Sequence, residues 1–323
     1  MKKARIGIIG GGGYTAGELL RLLVHHPGVE VAYIQSESQA GKPVATVHTD
    51  LIGEQLPLFS GADAGALEGL TAVFLCMGHG RSREWMDSDE VPATTVVVDL
   101  SADFRLDEDW VYGLPEINRA ATVGATRIAN PGCFATAIQL ALLPLVQAGL
   151  AEGEVHINGI TGSTGAGQQP TETSHFSWRT ANVSIYKAFD HQHLHEINRS
   201  ARQLGRRASG GLNFLPVRGP FARGIYVSTY VQTDASAKQL RELFHDFYAT
   251  AAFTHVTEEN PDLKQVVNTN KGLVYVEKHG DKALVISLID NLLKGASGQA
   301  VQNLNLALGL EETAGLQLKA GVY

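Results

Sequence analysis

The sequence predicts an α/β protein with two domains, the first built on a parallel β-sheet and the second a mixed α+β domain. Three observations predict it. Short apolar segments alternate with helical patterns over the first 130 residues or so, and four consecutive glycines (10–13) follow the first apolar segment. After residue 150 the pattern changes to longer strand-like runs separated by glycine-rich turns. Alternation of the first kind is typical of βαβ units.

Length and composition agree with this class. A chain of 323 residues suggests about two domains. A hydrophobic share of 44% excludes disorder as the overall state. The net charge of −7, with no run of Lys or Arg, argues against a nucleic-acid or anionic-membrane surface.

No membrane span or signal peptide is expected from the sequence. No apolar stretch reaches the roughly 20 residues that a membrane helix needs, and the first residues lack an apolar signal core. The two cysteines, Cys76 and Cys133, lie in different contexts, which fits reduced thiols better than a disulfide. We therefore expect a soluble, cytoplasmic protein.

The elements of the first half follow one another closely. Strands are predicted at residues 4–9, 29–35, 72–76, 95–100 and 127–129. A helix is predicted at 15–23, where leucines recur at helical spacing before Pro27-Gly28. The continuous apolar character of the strands fits a sheet that is covered on both faces.

The sequence pattern of the second half predicts a long apolar helix followed by a mixture of strands and helices. The apolar helix is predicted at 134–149. Strand patterns are found at 155–160, 224–232 and 282–289, and helical patterns near 191–204, 236–250 and 297–310.

The glycine cluster lies at the first turn between a strand and a helix. There, glycines let the backbone approach a pyrophosphate, and the helix N-terminus favours its negative charge. The spacing of Gly10, Gly13 and Ala16-Gly17 is closer to G-x-x-G-x-x-[GA] than to the strict fingerprint. Its position favours a dinucleotide site over the alternative, a tight turn without a ligand.

The segment after the second strand bears on the choice of dinucleotide. An acidic residue at the strand end would bind the ribose diol of NAD. Here Ser36, Ser38 and Lys42 suit a 2′-phosphate, whereas Glu37 would repel one if it faced the site. The sequence favours NADP (NADPH).

Cys133 is the candidate nucleophile. It follows Asn130-Pro131-Gly132 and opens the long apolar helix. The amides and dipole of a helix N-terminus stabilise a thiolate, and the same amides can form an oxyanion hole for an attacked acyl carbon. The competing interpretation is a buried structural cysteine, which is the prediction for Cys76.

The segment His191-Gln192-His193-Leu194-His195-Glu196 is the densest polar constellation in the chain. On a helix, residues 193 and 196 share a face, so Glu196 would orient His193. A metal site is one competing interpretation, but neither C-x-x-C nor H-E-x-x-H accompanies the cluster, and we predict no metal. A solvated helix face is the other.

Several motifs in a fixed order carry a wider resemblance. They are Gly13-Tyr14-Thr15 with Glu18-Leu19, and the segments 40–43, 99–105, 112–116, 130–136, 162–167, 191–196 and 290–300. Together they resemble the N-acetyl-γ-glutamyl-phosphate reductase family, which is related to the aspartate-semialdehyde dehydrogenases.

The resemblance implies a Rossmann-like NAD(P)-binding domain plus an α+β catalytic and dimerisation domain of the semialdehyde dehydrogenase type. The C-terminal helix would return to the first domain. We therefore place the dinucleotide-binding domain at 1–132 and 298–323 and the catalytic domain at 133–297. The resemblance also implies a homo-oligomer, a dimer or tetramer.

The implied activity is the NADPH-dependent reductive dephosphorylation of an N-acyl-γ-glutamyl phosphate to its semialdehyde, in arginine biosynthesis. Cys133 would attack the acyl phosphate and leave a thioester, which hydride from the nicotinamide would reduce. His193 would be the general acid and base, with Glu196 as its orienter and His191 as the alternate.

The remaining roles come from the same resemblance. Arg105 and Asn130 would hold the phosphate, Arg223 the substrate α-carboxylate, and Ser163 would line the site. The cofactor residues would be Gly10, Gly13, Tyr14, Thr15, Ser36, Ser38, Lys42, Asn291 and Lys294.

The sequence departs from the family pattern at a few positions. The family's His-Leu in the substrate domain is Val217-Arg218 here, Glu37 stands where arginine is common, and His195 replaces a proline. Met77-Gly78 replaces Leu-Pro. A guanidinium at Arg218 suits an N-acyl group that ends in a carboxylate, such as succinyl; a solvated surface arginine is the competing interpretation.

Two rival functions stay open. One is a reductase for carrier-linked α-aminoadipyl phosphate in lysine biosynthesis, against which the net charge of −7 and the lack of a basic docking patch argue. The other is a non-catalytic NAD(P)-binding sensor, against which the presence of Cys133 and the histidines argues.

Overall fold

The structure is a computed structural model that describes residues 3–88, 91–151, 153–205 and 210–322. These residues form two compact units. The first comprises the described residues up to Pro131 together with Ala296–Gln317, and the second comprises those from Gly132 to Gly295 and from 318 onward. Within the described part of the chain, no helix is long and apolar enough to cross a membrane.

The elements are as follows. The strands are β1 (Ala4–Ile9), β2 (Val29–Gln35), β3 (Ala72–Leu75), β4 (Val96–Asp99), β5 (Val111–Tyr112), β6 (Arg127–Ala129), β7 (Val155–Thr161), β8 (Ser184–Ile185), β9 (Leu212–Arg218), β10 (Ile225–Gln232), β11 (Thr254–Val256), β12 (Gly272–His279) and β13 (Lys282–Ile289). The helices are α1 (Tyr14–Leu23), α2 (Arg81–Met86), α3 (Pro115–Thr122), α4 (Cys133–Gln147), α5 (Phe176–Arg179), α6 (His193–Gln203), α7 (Ala237–Tyr248) and α8 (Gly298–Ala307), with a π-helical turn at Leu293–Ser297 before α8.

The described residues of the first unit build a six-stranded parallel sheet in the order β2-β1-β3-β4-β6-β5. Every residue of β3 and β4 is buried, because helices cover both faces of such a sheet. The strand order reverses at β1, whose neighbours are β2 and β3. In sheets of this kind the ligand binds beyond the carboxyl ends of the strands at that reversal.

The C-terminal helix α8 completes the first unit. It packs against α1, α3 and β4, and every one of its residues is buried. The Ser297 hydroxyl donates to the Thr15 carbonyl oxygen at 2.8 Å. The segment that follows the second unit in sequence thus belongs to the core of the first.

The second unit is built on a mixed sheet, seven-stranded within the described residues, in the order β11-β12-β13-β10-β7-β9-β8. The pairs β11–β12 and β7–β9 are parallel and the others antiparallel. Helices α4 and α7 pack on this sheet, and α6 packs on α4. Their shared core includes Phe134, Ile138, Phe214, Val227 and Val285.

The two faces of this second sheet differ. Along β10, residues 225, 227, 229 and 231 are buried, while those between them are only half-buried or exposed. A smaller apolar cluster of Val266, Leu273, Ile286 and Leu288 lies outside the main core.

The predicted fold class, a parallel Rossmann-like sheet followed by a mixed α+β domain, is confirmed.

Candidate active site

Cys133 is the first residue of α4. Gly132 is the N-cap, with an extended backbone, and the first intrahelical hydrogen bond runs from Thr136 N to Gly132 O at 2.8 Å. The N–H groups of residues 133–135 therefore have no acceptor within the helix and point out of its N-terminus. An anion on Cys133 or next to it lies where the helix dipole favours negative charge.

Two glycines, Gly132 and Gly295, allow other groups to pack closely around Cys133. A Cβ on Gly132 would lie 2.3 Å from Nε2 of His193, so the imidazole of His193 rests directly on the helix N-cap. A Cβ on Gly295 would lie 2.9 Å from the Cβ of Cys133. The turn before α8 thus packs against the nucleophile candidate, a contact of which the sequence gives no sign.

Glu196 joins the histidine cluster to the helix N-terminus. Its Oε2 accepts a hydrogen bond from Gly132 N at 2.9 Å, and its Oε1 lies 3.9 Å from Nε2 of His193. Glu196 and His193 are both buried. The structure brings together the two residues that the i,i+3 spacing on a helix pairs, and it adds the bond to Gly132.

His191 lies beside His193 in an aromatic environment. Its Nδ1 accepts from the backbone N–H of His193 at 3.2 Å, which leaves the proton of the neutral ring on Nε2. The rings of Phe134, Tyr186 and Phe214 surround it at centroid distances of 5.4–5.9 Å. Burial, together with the charge of Lys187, lowers the pKa of His191 to about 4, so the ring is neutral at pH 7.

Arg223 is held by a buried carboxylate. Its Nε and Nη2 donate to the two oxygens of Asp290 at 3.0 and 3.1 Å. Asp290 is fully buried and also accepts from the backbone N–H groups of residues 268, 292 and 293. The pairing of Asp290 with Arg223 is not predicted by the sequence, because 67 residues separate the partners.

The other predicted site residues of the second unit lie in connected loops. Asn291 accepts from Gly224 N at 2.8 Å and donates to the Thr164 hydroxyl at 3.0 Å. Ser163 follows β7, and its N–H donates to Phe221 O. Lys294 is fully buried within the π-helical turn.

Arg105 and Asn130 lie in the first unit, in the segments that lead toward Cys133 in sequence. Arg105 is buried, and it donates to the carbonyl oxygens of Asn130 and Leu100 at 3.0 and 3.1 Å. The Asn130 amide donates to Ala296 O and accepts from Asn303. These bonds fix the backbone three residues before Cys133; phosphate binding by the two side chains stays a prediction.

The glycine turn fits a pyrophosphate. Gly10 has a φ of +85°, and a Cβ there would lie 2.9 Å from the backbone of Cys76. A Cβ on Gly13, the N-cap of α1, would meet nothing within 4 Å, so the chain is open where Tyr14 and Thr15 begin the helix. An approaching phosphate meets backbone amides there.

His48 supports the glycine turn from behind, which the sequence does not predict. Its Nε2 donates to the carbonyl oxygen of Gly11 at 2.8 Å. A Cβ on Gly17 would lie 2.6 Å from the same imidazole ring. The glycine at position 17 is therefore required by packing against His48.

The segment after β2 places Glu37 differently from its neighbours. The Glu37 carboxylate accepts from Ala62 N at 2.7 Å and from Gln35 Nε2 at 3.0 Å, so it is tied to the adjacent loop. Ser36 is buried, and its hydroxyl lies 3.5 Å from where a Cβ on Gly12 would be. Ser38 and Lys42 are exposed.

Cys76 differs from Cys133. Burial raises the pKa of its thiol to about 12, and the nearby Asp99 adds to the effect. Both cysteines are free thiols. Across residues 3–88, 91–151, 153–205 and 210–322, no group of three or more His, Cys, Asp or Glu is placed to hold a metal ion.

Two sequence-family models match the chain. The one described as the NAD-binding domain of semialdehyde dehydrogenase matches residues 5–125, and the one described as the semialdehyde dehydrogenase dimerisation domain matches 133–291. A protein from Bacteroides thetaiotaomicron named N-acetyl-γ-glutamyl-phosphate reductase is 51% identical over 322 residues, which is 99% of each chain. The chain belongs to the N-acetyl-γ-glutamyl-phosphate reductase family.

Other members of this reductase family are equally similar over their length. One from Christiangramia forsetii is 50% identical over 98% of this chain and 99% of its own. Among solved structures, an aspartate-semialdehyde dehydrogenase II from Vibrio cholerae superposes with a TM-score of 0.74 at 20% identity, covering 96% of this chain and 99% of that one. An aspartate-semialdehyde dehydrogenase from Candida albicans, solved with NADP, gives 0.72 at 14% identity over 95% and 99%. These structures share the fold of this reductase family member.

Proposed function

We propose that this protein reduces an N-acyl-γ-glutamyl phosphate to the N-acyl-glutamate semialdehyde, with NADPH as reductant and a thioester on Cys133 as intermediate. The observation that carries the proposal is the position of Cys133 at the first residue of α4, with His193 and Glu196 on the N-cap. Membership of the reductase family supports the same substrate class.

The first step forms the thioester. The Cys133 thiolate attacks the γ-carbonyl carbon of the acyl phosphate, a carbon–sulfur bond forms, and the carbon–oxygen bond to phosphate breaks. Inorganic phosphate leaves with the electron pair of that bond. The N–H groups at the start of α4 stabilise the oxyanion of the tetrahedral intermediate, since these donors have no acceptor inside the helix.

His193 moves protons in the second half of the reaction. Its ring lies on Gly132, next to Cys133, and supplies the proton that the oxyanion needs before the thiohemiacetal collapses to aldehyde and thiol. Glu196 holds the ring orientation through the 3.9 Å contact. His191 acts as the packing partner of His193 rather than as the acid, because its low pKa leaves it without an acidic proton to give at neutral pH.

The glycine turn holds the cofactor. Gly10, Gly13, Tyr14 and Thr15 take the pyrophosphate at the N-terminus of α1. Ser36, Ser38 and Lys42 take the 2′-phosphate, and the hydrogen bonds from Ala62 N and Gln35 Nε2 hold the Glu37 carboxylate against the adjacent loop. NADPH supplies the hydride when bound, and Asn291 and Lys294 complete its site.

Substrate contacts and assembly complete the proposal. Arg105 and Asn130 bind the phosphate, Ser163 lines the pocket, and Arg223, oriented by Asp290, binds the α-carboxylate.

We infer a cytoplasmic enzyme of arginine biosynthesis that forms a dimer or tetramer. We place the domains at 1–132 with 298–323 and at 133–297, whereas the compact units assign the described residues from 318 onward to the second unit. The dimerisation-domain match to residues 133–291 supports the second domain as the assembly domain.

The reverse assay tests the proposed function. N-acyl-glutamate semialdehyde, inorganic phosphate and NADP⁺ should give NADPH at a rate that depends on phosphate, and Cys133→Ser should lower kcat by at least about 10³-fold. Cys76→Ser serves as the matched control and should keep kcat, because a pKa of about 12 keeps the Cys76 thiol protonated and unreactive.

Two outcomes would contradict the proposal. Oxidation that proceeds at the same rate without phosphate would indicate a simple aldehyde dehydrogenase. NADP binding with no turnover of any acyl substrate would indicate a nucleotide-binding sensor.

A further inference from the structure

A second arginine of the catalytic unit, Arg218, lies at the end of β9 on the same edge as the predicted substrate residue Ser163. In the parallel pair β7–β9, Arg218 lies opposite Thr161, and Thr161 is two residues before Ser163. The next residue after Arg218, Gly219, donates its backbone N–H to Thr161 O. On its other side Arg218 pairs with Ser184 of β8. The side chain therefore starts from a backbone that is fixed on both sides.

Tyr186 connects Arg218 to the histidine cluster. The Arg218 guanidinium carbon lies 4.8 Å from the centroid of the Tyr186 ring, a cation–π contact. Burial and the neighbouring Cys133 raise the pKa of Tyr186, whereas the hydrogen bond and charge of Arg218 lower it. The Tyr186 ring also packs against His191, and the His191 ring lies 4.5 Å from that of His193.

Arg218 is not a solvated surface arginine. The side chain is half-buried, and its Nε is fully buried without a hydrogen-bond partner. A buried donor that stays unbonded costs roughly 1–3 kcal/mol. Such an unbonded donor is expected in a binding site, because the bound ligand supplies the acceptor for the Arg218 Nε.

A buried arginine behind Arg218 adds positive charge. Arg179 is 5% exposed, and its guanidinium donates to the carbonyl oxygens of Thr173, Asn182 and Arg218 and to the Ser184 hydroxyl, all uncharged acceptors. Over the described ranges, no carboxylate forms an ion pair with Arg179 or Arg218. Arg223 differs, because Asp290 already balances its charge.

We propose that Arg218, held by Tyr186 and backed by Arg179, binds a second carboxylate at the far end of the substrate's N-acyl group. The enzyme then acts on a substrate whose N-acyl group itself comes from a dicarboxylic acid. The simplest such group is succinyl. A guanidinium with an unbonded buried Nε offers a carboxylate the fork geometry that an acetyl methyl group cannot use. This inference rests on the proposed function and specifies its substrate.

The test compares three semialdehydes in the reverse assay with phosphate and NADP⁺: N-succinyl-, N-butyryl- and N-acetyl-glutamate semialdehyde. Butyryl has the chain length of succinyl without the charge, which separates charge from size. The native enzyme should prefer succinyl over butyryl by at least about tenfold in kcat/KM. Arg218→Gln should lower kcat/KM for succinyl about 10- to 100-fold and change that for acetyl less than about threefold.

The matched control is Arg241→Gln, which removes an exposed guanidinium from α7 and should leave all three substrates unchanged. Equal kcat/KM for succinyl and butyryl in the native enzyme would overturn the inference while the proposed function stands, and this comparison needs no variant. A succinyl-to-acetyl ratio that Arg218→Gln leaves unchanged would overturn it as well. Absence of turnover with all three substrates would instead overturn the proposed function.

Discussion

At the scale of single residues, the site depends on Glu196 interacting with two partners at once. One carboxylate oxygen accepts the Gly132 N–H and the other lies near the His193 imidazole. An acidic group at a helix N-terminus interacts favourably with the helix dipole. The same side chain therefore fixes the start of α4 and the position of the histidine beside the nucleophile.

The two buried histidines should differ in their effect on the reaction. His193→Asn removes the proton donor and should lower kcat about 10²- to 10⁴-fold. His191→Asn keeps a Cβ and a short polar group and should lower kcat less than about tenfold. Because burial and Lys187 hold the pKa of His191 at about 4, that residue stays neutral over the working range, and its loss should leave the shape of the pH–rate profile between about pH 6 and 9 unchanged.

The measurement is kcat as a function of pH for the native enzyme and both variants. His195→Asn, at an exposed position of the same helix, is the control for a general effect of losing an imidazole. A displaced midpoint of the profile in His191→Asn would assign the proton transfer to His191 instead.

At the scale of elements, the turn between β13 and α8 holds the site together through Asp290. This carboxylate is fully buried and bonds Arg223 and three backbone amides. Asp290→Asn leaves the partly buried guanidinium of Arg223 without its countercharge and should lower the free energy of unfolding by about 3 kcal/mol. Urea denaturation measures this difference.

An exposed pair gives the matched comparison for Asp290. Lys238 and Glu242 on α7 form an ion pair across one helical turn, and both side chains are largely exposed. Glu242→Gln should change the free energy of unfolding by less than about 0.5 kcal/mol. Equal losses in the two variants would mean that Asp290 contributes no more than a surface charge.

The elements that could be predicted from the sequence are those whose signal is local. The bounds of β2 and β13 agree with the sequence prediction, because their apolar runs and flanking turns mark both ends. Strands β5 and β8 have two residues each, and they exist only because a partner strand lies beside them. Helix α6 begins at His193 rather than near 191, since Nδ1 of His191 accepts from the His193 N–H.

The features of the candidate active site also divide into those that a local sequence pattern predicts and those that depend on distant contacts. The pairing of His193 with Glu196 follows from helical spacing, and the position of Cys133 at a helix start follows from the Pro131-Gly132 signal. The contacts of His193 with Gly132, of Gly295 with Cys133 and of Arg223 with Asp290 join distant parts of the chain. No local pattern encodes such contacts, because they arise only when the chain has folded.

At the scale of the whole molecule, the buried histidines His26 and His191 link stability to pH. Burial is the largest cause that lowers the pKa of His26 and His191 below the ordinary value of 6.5. The unfolded chain therefore binds more protons than the folded chain as the pH falls below about 6.5. The stability that these neutral rings contribute is fully present above that pH and is lost on the way down to the folded-state values.

His26 connects the beginning of the chain to its C-terminal segment. Its Nδ1 accepts from Gly28 N at 3.1 Å, so its Nε2 carries the proton and donates to Asn305 at 3.0 Å. The Asn305 amide in turn donates to the carbonyl oxygens of Glu312 and Ala314. A protonated His26 would lose the bond from Gly28 and place a charge in a site that burial makes unfavourable.

His26→Gln should therefore lower the free energy of unfolding at pH 7.5 by about 1–2 kcal/mol, through the lost Gly28 bond, and should weaken its decline between pH 7 and 5. Urea denaturation at several pH values measures both quantities. The control is His25→Gln, because the adjacent imidazole is three-quarters exposed and its loss should leave the slope as in the native protein. If His26→Gln and the native chain lose stability in parallel as the pH falls, the acid sensitivity arises elsewhere, and the ring at position 26 is protonated in the folded state as readily as in the unfolded chain.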